Sequence, residues 1–355
     1  MYHWLQRLFS GPAAADGLPQ DDPEPVPMPA AAPEPAPTPA PTAAAALPQR
    51  PPVSFDQLDT IDGNYYRWLF ENEGESELDA NAAETEVLDA LAAILKSQQS
   101  GSALVRRMPG LIPQLLQSLR SDSFSGAQLS RTISSDVVLV AAVLRLANCS
   151  FKGTGNSITS IEHAVMLIGQ EGLRQLITSV AFRPIIDVNS GMYTRTMAPR
   201  IWDRSERCAV ANRLQADALG IDPFEAFLAG VVQNVGLIVT LRIMDQAAKG
   251  ERVLGSEMFC VRLVRDARLL SCSIGREWNF PENVTRAIEE QATLFQGKPI
   301  SPLGRLLAQT DYLSKVRMLV EHGRAKLDDP QLFFGLPDNA RACYASLEAI
   351  DDAAP

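Results

Sequence analysis

Few side chains in this 355-residue chain have the type and placement to do chemistry, and those few argue against most enzyme classes. It has three histidines, His3, His163 and His322, scattered along its length. His163 follows Ser160 by three residues at an expected helix start, where a capping or surface role outweighs catalysis. Ser205 and Cys208 have no histidine in plausible sequence context to serve as a base, so a nucleophile reading lacks support. Cys149, Cys208, Cys260, Cys272 and Cys343 form no CxxC pair. Most of them lie in apolar helical patterns, where a reduced thiol behaves as a small hydrophobe. Gly153-Thr154-Gly155 is too short for a phosphate loop and lacks its strand and lysine. What remains is an amide pair, Gln233-Asn234, set in the apolar run from Phe224 to Gly236. Neither amide is a metal ligand of any strength.

The elements that must position these residues read as helix after helix. Asp222 as N-cap, Pro223 at the first helical position and Glu225 as a returning carboxylate predict a capping box ahead of Phe227, Leu228, Val231 and Val232. Ser134, Ser135 or Asp136 caps a helix carrying Val137 to Leu146 and ending near Asn148. Ser157 or Thr159 caps the next, which carries Ile161, Val165 and Ile168 and stops at Gly169, a position suited to positive φ. Upstream, Phe55, Leu58, Ile61, Tyr65, Leu69 and Phe70 recur at helical spacing. Val87, Leu88, Leu91, Ile94 and Leu95 do so again, predicting two helices joined by the acidic Glu71 to Glu77 loop. Strand-like alternation is nearly absent, so the expected class is all-α.

Composition divides the chain near residue 52. Fourteen of the 25 prolines lie between Pro12 and Pro52, interleaved with alanine. Such a stretch has too little apolar surface to fold and predicts a disordered Pro/Ala-rich tether reaching on the order of 100 Å at most. Ahead of it, Tyr2, Trp4, Leu5, Leu8 and Phe9 crowd five apolar side chains into nine residues. On a short helix Tyr2, Leu5 and Phe9 share a face flanked by Trp4 and Leu8, which suits a partner groove or a membrane surface. The alternative is a frayed terminus packed on its own domain. Arg7 is the one Lys or Arg there, which favours a protein groove over an anionic membrane. A formal net charge of -10 and the lack of a basic patch disfavour nucleic acid as a partner. No apolar run reaches bilayer length and no secretory h-region precedes it, so the expected location is cytoplasmic.

Five segments, in order, resemble the HDOD domain, a noncatalytic relative of the HD metal-dependent phosphohydrolases. They are Met108-Pro109-Gly110-Leu111-Ile112-Pro113, Ser135-Asp136 with Leu144 to Phe151, Ile158 to Gly169, Phe224 to Gly236, and Ile274 to Pro281. The resemblance implies an HD-like multi-helix bundle. It also implies that an adjacent His and Asp would stand where this chain has Gln233 and Asn234. Arg204, in Trp202-Asp203-Arg204-Ser205, takes the place of another histidine ligand, Gln291 lies near a later one, and Asp311 is the surviving carboxylate. Arginine stays protonated and cannot bind a cation, and one carboxylate does not make a divalent site. No metal and no cofactor are therefore expected, and the chain is not expected to be an enzyme. Arg204 and Asp311 could instead form a bidentate ion pair, with Gln233 and Asn234 adding hydrogen bonds.

The organisation expected is a short amphipathic segment at 1–11, a tether at 12–52 and an accessory helical hairpin at 53–100. An HDOD-like domain at 101–300 and a helical extension at 301–355 complete it. The function implied is regulation in bacterial signal transduction through a protein partner. The alternative is a nucleotide second-messenger sensor or residual phosphohydrolase, with Arg204, Gln233 and Asn234 reading a nucleotide. Membrane contact is expected only through residues 1–11, if at all.

Overall fold

The computed structural model describes residues 52–72, 78–97, 160–182, 191–247, 254–294 and 298–347, together with 133, 140 and 143. The described residues form helices and no strand. The helices are α1 (Phe55–Leu69), α2 (Ala82–Lys96), α3 (Ile161–Phe182), α4 (Met192–Ala216), α5 (Pro223–Val232), α6 (Val235–Ala247), α7 (Glu257–Glu277), α8 (Glu282–Ala292), α9 (Pro302–Glu321) and α10 (Ala340–Ser346). The amphipathic segment 1–11, the tether and the helix expected over Val137 to Leu146 lie outside the described residues, apart from Pro52, Val140 and Val143.

Local sequence sets most helix starts. At α1, Ser54 Oγ accepts from Gln57 N while Gln57 Oε1 accepts from Ser54 N, a reciprocal cap that satisfies two orphan donors. At α5, Asp222 Oδ1 accepts from Glu225 N at 2.7 Å with Pro223 in the first turn. The box expected there is half made, because the Glu225 carboxylate accepts from Asn283 Nδ2 at 3.0 Å instead of returning to the cap. Gly169 has φ 73°, as its position suggests, yet a second helical segment begins at once, so α3 is kinked rather than stopped there.

The two helices of residues 53–100 pack on the others, α1 against α9 and α2 against α6 and α7. The tie is a fully buried carboxylate. Glu84 closes the Asn81 capping box of α2 and also accepts from Gly255 N at 2.6 Å and from Ser256 N at 2.8 Å. Its other oxygen accepts from Ser256 Oγ at 2.7 Å, and Ser256 is itself the N-cap of α7. One acceptor group thus satisfies the starts of two helices far apart in sequence. Glu84→Gln puts an amide donor against these donors and is expected to lower unfolding free energy by about 2 kcal/mol in urea titrations.

Helices α4, α5 and α6 make the centre. Gly230 lets α5 lie on α4: a β-carbon there would sit 2.5 Å from the Ala209 backbone. Within Pro223–Ala247 an 18-residue window has a mean hydropathy of 1.7, and the stretch has the length to cross a membrane, which corrects the expectation that no such run exists. Buried positions fill 89% of its apolar window, so its apolarity goes into helix packing.

Candidate functional site

The central stretch is broken where its amides stand. Gln233 caps α5, Asn234 comes next, and α6 begins at Val235. Ser271 of α7 bridges this joint: its Oγ accepts from Gly236 N at 2.8 Å and donates to Gln233 O at 2.9 Å. Gln233 and Asn234 at this break are both buried and bond to α4.

Arg204 of α4 is fully buried and meets three elements. It donates through Nη2 to Asn234 Oδ1 and through Nη1 to Tyr66 Oη at 3.3 Å, and its Nε lies 3.4 Å from Asp311 Oδ1. Its guanidinium carbon stands 4.8 Å from the centre of the Tyr65 ring, a cation–π distance. The contact with Asp311 is single rather than bidentate, because the two terminal nitrogens are directed to Asn234 and Tyr66. Asn234 Nδ2 donates to Ser205 Oγ at 2.9 Å. Gln233 does not join Arg204; its Nε2 donates to Cys208 Sγ at 3.1 Å.

Asp311 is held by more than Arg204. Lys315, one turn along α9 and fully buried, places Nζ 2.7 Å from Asp311 Oδ2 and 2.8 Å from Asp62 Oδ1 of α1. Arg268 of α7 reaches Asp311 Oδ2 at 3.3 Å and donates to Gln291 O at 3.0 Å. Three cations therefore surround two carboxylates. Burial alone would raise the Asp311 pKa, but Lys315, Arg204 and Arg268 override it and hold the carboxyl well below its ordinary 3.8. Burial works against the charge on Lys315, and Asp311 with Asp62 reverses that, lifting it to about 12. Burial pushes the Tyr65 hydroxyl up to about 12 against the opposing field of Arg204.

Sequence reasoning missed Lys315, Arg268, Asp62, Tyr65 and Tyr66 as members of this cluster. Only Lys315 carried a local signal, its spacing of four residues from Asp311 on one helix face. The rest come from helices that only tertiary packing brings together. Tyr2, Trp4, Leu5, Leu8 and Phe9 lie outside the described residues.

These residues do not fit a metal ion. Two guanidiniums and an ammonium already occupy the Asp311 carboxylate and Lys315 holds the nearby Asp62, and among the described residues no three His, Cys, Asp or Glu are grouped to hold one. Above the cluster opens a cavity of about 520 Å³ with Asp311, Arg268, Gln291 and Tyr66 among its lining. Arg204, Gln233 and Asn234 are not part of that lining.

A solved HDOD domain protein with unknown function from Geobacter sulfurreducens is similar over 77% of this chain and 91% of its own, with a TM-score of 0.52 and 17% identity. A candidate phosphohydrolase from Shewanella amazonensis SB2B is similar over 75% of this chain and 93% of its own, with a TM-score of 0.51 and 21% identity. Likeness at these identities is likeness of fold. No curated protein matches the sequence. The family model of the HDOD domain matches residues 105–294, more than half of the chain. Arg204 and Asn234 lie within the matched residues, Asp311 follows them on α9, and the chain belongs to the HDOD domain family.

Proposed function

We propose that this HDOD protein is a noncatalytic regulator that works by binding a protein partner in a bacterial, cytoplasmic signalling pathway. The observation that carries the reading is the charge arrangement at Asp311. Where the family resemblance would place a metal, the chain has the fixed cations Arg204 and Lys315, both fully buried and both paired with that carboxylate. HD-type hydrolysis depends on a metal ion to bring the pKa of an attacking water toward neutrality. A guanidinium and an ammonium supply charge but no open coordination position, so the cluster suits a structural role. The polar side chains that would read a nucleotide are committed to neighbours: Arg204 to Asn234 and Tyr66, Gln233 to Cys208. That favours macromolecular recognition over the nucleotide reading.

The test is quantitative capture from native lysate with the full chain and with the chain lacking residues 1–11. The reading expects one protein enriched in near-stoichiometric amount by at least one of the two. No protein enriched over an unrelated bait, in lysates from several growth conditions, would count against it.

A further inference from the structure

The charges of the ion cluster do not balance at the floor of the cavity. Arg204, Lys315 and Arg268 stand around Asp311 and Asp62, three cations against two carboxylates, and Arg204 and Lys315 are fully buried. A surplus positive charge held away from water is unfavourable unless an anion offsets it. Arg268 is the cation of the three that lines the cavity, with its side chain 15% exposed. It donates to Gln291 O and to Asp311 Oδ2, which leaves most N–H groups of a guanidinium without an acceptor among the described residues. Tyr66, also in the lining, accepts from Arg204 through Oη, and its own O–H has no acceptor among the described residues. The floor therefore presents donors and positive charge to the cavity.

The sides are apolar. Leu58 comes from α1, Cys260 and Val264 from α7, Ala308 from α9, and Leu294 from the chain just after α8. Helix α1 packs on α9 and α2 packs on α7, so the cavity is the gap left between α1 and α7. Its volume falls in the range that ligand pockets occupy, about 300–1,000 Å³. Gly63 borders this gap from the interior of α1. A β-carbon there would meet nothing within 4 Å, so no packing contact requires a glycine, and glycine inside a helix is less stable than alanine. What the missing side chain preserves is room in the cavity. At the rim Arg67 and Arg265 stand with Asp59 and Glu257, and Asp266 lies 3.5 Å from Arg265. The four rim residues are exposed, so water and salt screen them far more than the floor.

We propose that the cavity binds a small organic monoanion with an apolar body, its carboxylate or sulfonate taken by Arg268 and the Tyr66 hydroxyl and its body held between Leu58, Val264 and Leu294. Charge-assisted hydrogen bonds from a guanidinium suit such an anion. One negative charge balances the floor, whereas a nucleotide polyphosphate brings more than the floor offsets. Arg204, Gln233 and Asn234 are not in the lining and take no direct part. The site goes beyond the partner-binding reading and does not depend on it.

The test is fluorescence titration of the full chain into anilinonaphthalene sulfonate and into phenylnaphthylamine, the same ring system without the anion. The expected result is one saturable site that holds the sulfonate at least tenfold more tightly than the uncharged amine. Phenylbutyrate is expected to displace the sulfonate, and phenylbutanamide, its uncharged counterpart, not to. Arg268→Gln is expected to remove the preference for the anion. Gly63→Trp places an indole in the open space and is expected to weaken both probes at least tenfold, with a urea unfolding midpoint no lower than that of the wild-type chain. Equal affinity for the two probes, no saturable binding of the sulfonate, or a preference that Arg268→Gln retains overturns the proposal. So does sulfonate binding that Gly63→Trp leaves unchanged, which would place the probe elsewhere on the chain. Displacement by ATP at lower concentration than by phenylbutyrate would assign the cavity to a nucleotide and overturn it as well.

Discussion

Replacing Asp311 with alanine is expected to lower the unfolding free energy by about 3–5 kcal/mol, the range found when one partner of a buried ion pair is removed. The carboxylate is the common counter-ion of Lys315, Arg204 and Arg268, and the first two are fully buried. Without it, Arg204 keeps Asn234 and Tyr66 and Lys315 keeps Asp62, but the cluster holds three cations against one carboxylate. Desolvation, no longer opposed by Asp311, then favours loss of the Lys315 proton. Urea titration reads the loss. Arg204→Met and Lys315→Met added to an Asp311→Leu chain are expected to recover much of it, because an apolar replacement removes the uncompensated charge.

The same carboxylate sets an acid dependence. Its folded pKa lies well below the ordinary 3.8, so the folded state binds the proton less readily than the unfolded chain. The stability it contributes is fully present above about pH 4 and is lost as pH falls below that toward the folded value. Comparing unfolding free energies at successive pH values should show a steeper decline below pH 4 in the wild-type chain than in Asp311→Asn.

The second large effect is steric. Gly236→Ala is expected to cost about 3 kcal/mol, the upper end for overpacking a well-packed contact. A β-carbon there would lie inside van der Waals distance of the Ala267 carbonyl oxygen and 2.8 Å from Ser271 N, which is backbone of α7 and cannot swing aside. It would also crowd the Ser271 hydroxyl that bridges the joint between α5 and α6. Gly63, on the exposed face of α1 with nothing within 4 Å of an added β-carbon, is the control. Gly63→Ala is expected to stabilise by about 0.5–1 kcal/mol through helix propensity. Thermal melts of the two variants should therefore shift in opposite directions.

What the sequence made legible is local, and what it hid is tertiary. Helical spacing marked α1, α2 and α5 because each must bury one face, and Asp222-Pro223 marked the start of α5 because an N-cap acts within a single turn. Glu225 misled for the same reason that it is short-ranged: the reciprocal cap competes with Asn283 on α8, which no local pattern reveals. Gly169 gave the right backbone sign but not the helix beyond it, since a glycine of positive φ ends one helical turn without forbidding another. At the site, Arg204, Asn234 and Asp311 could be named from the ordered motifs. Tyr65, Tyr66 and Asp62 could not, because they come from the N-terminal helix pair, whose docking rests on a Glu84 contact to residues about 170 positions away. The shared use of Asp311 by three cations likewise depends on α4, α7 and α9 meeting at one point.

Fixed cations hold Asp311 where the family resemblance would place a metal ion. The most direct measurement equilibrates the purified full chain with Mn²⁺, removes free ion by gel filtration, counts the bound metal and monitors hydrolysis of bis-p-nitrophenyl phosphate. Far less than one ion per chain, no turnover above buffer and no change in either with Asp311→Asn are expected. One or two ions per chain with turnover, both lost in Asp311→Asn, would contradict it.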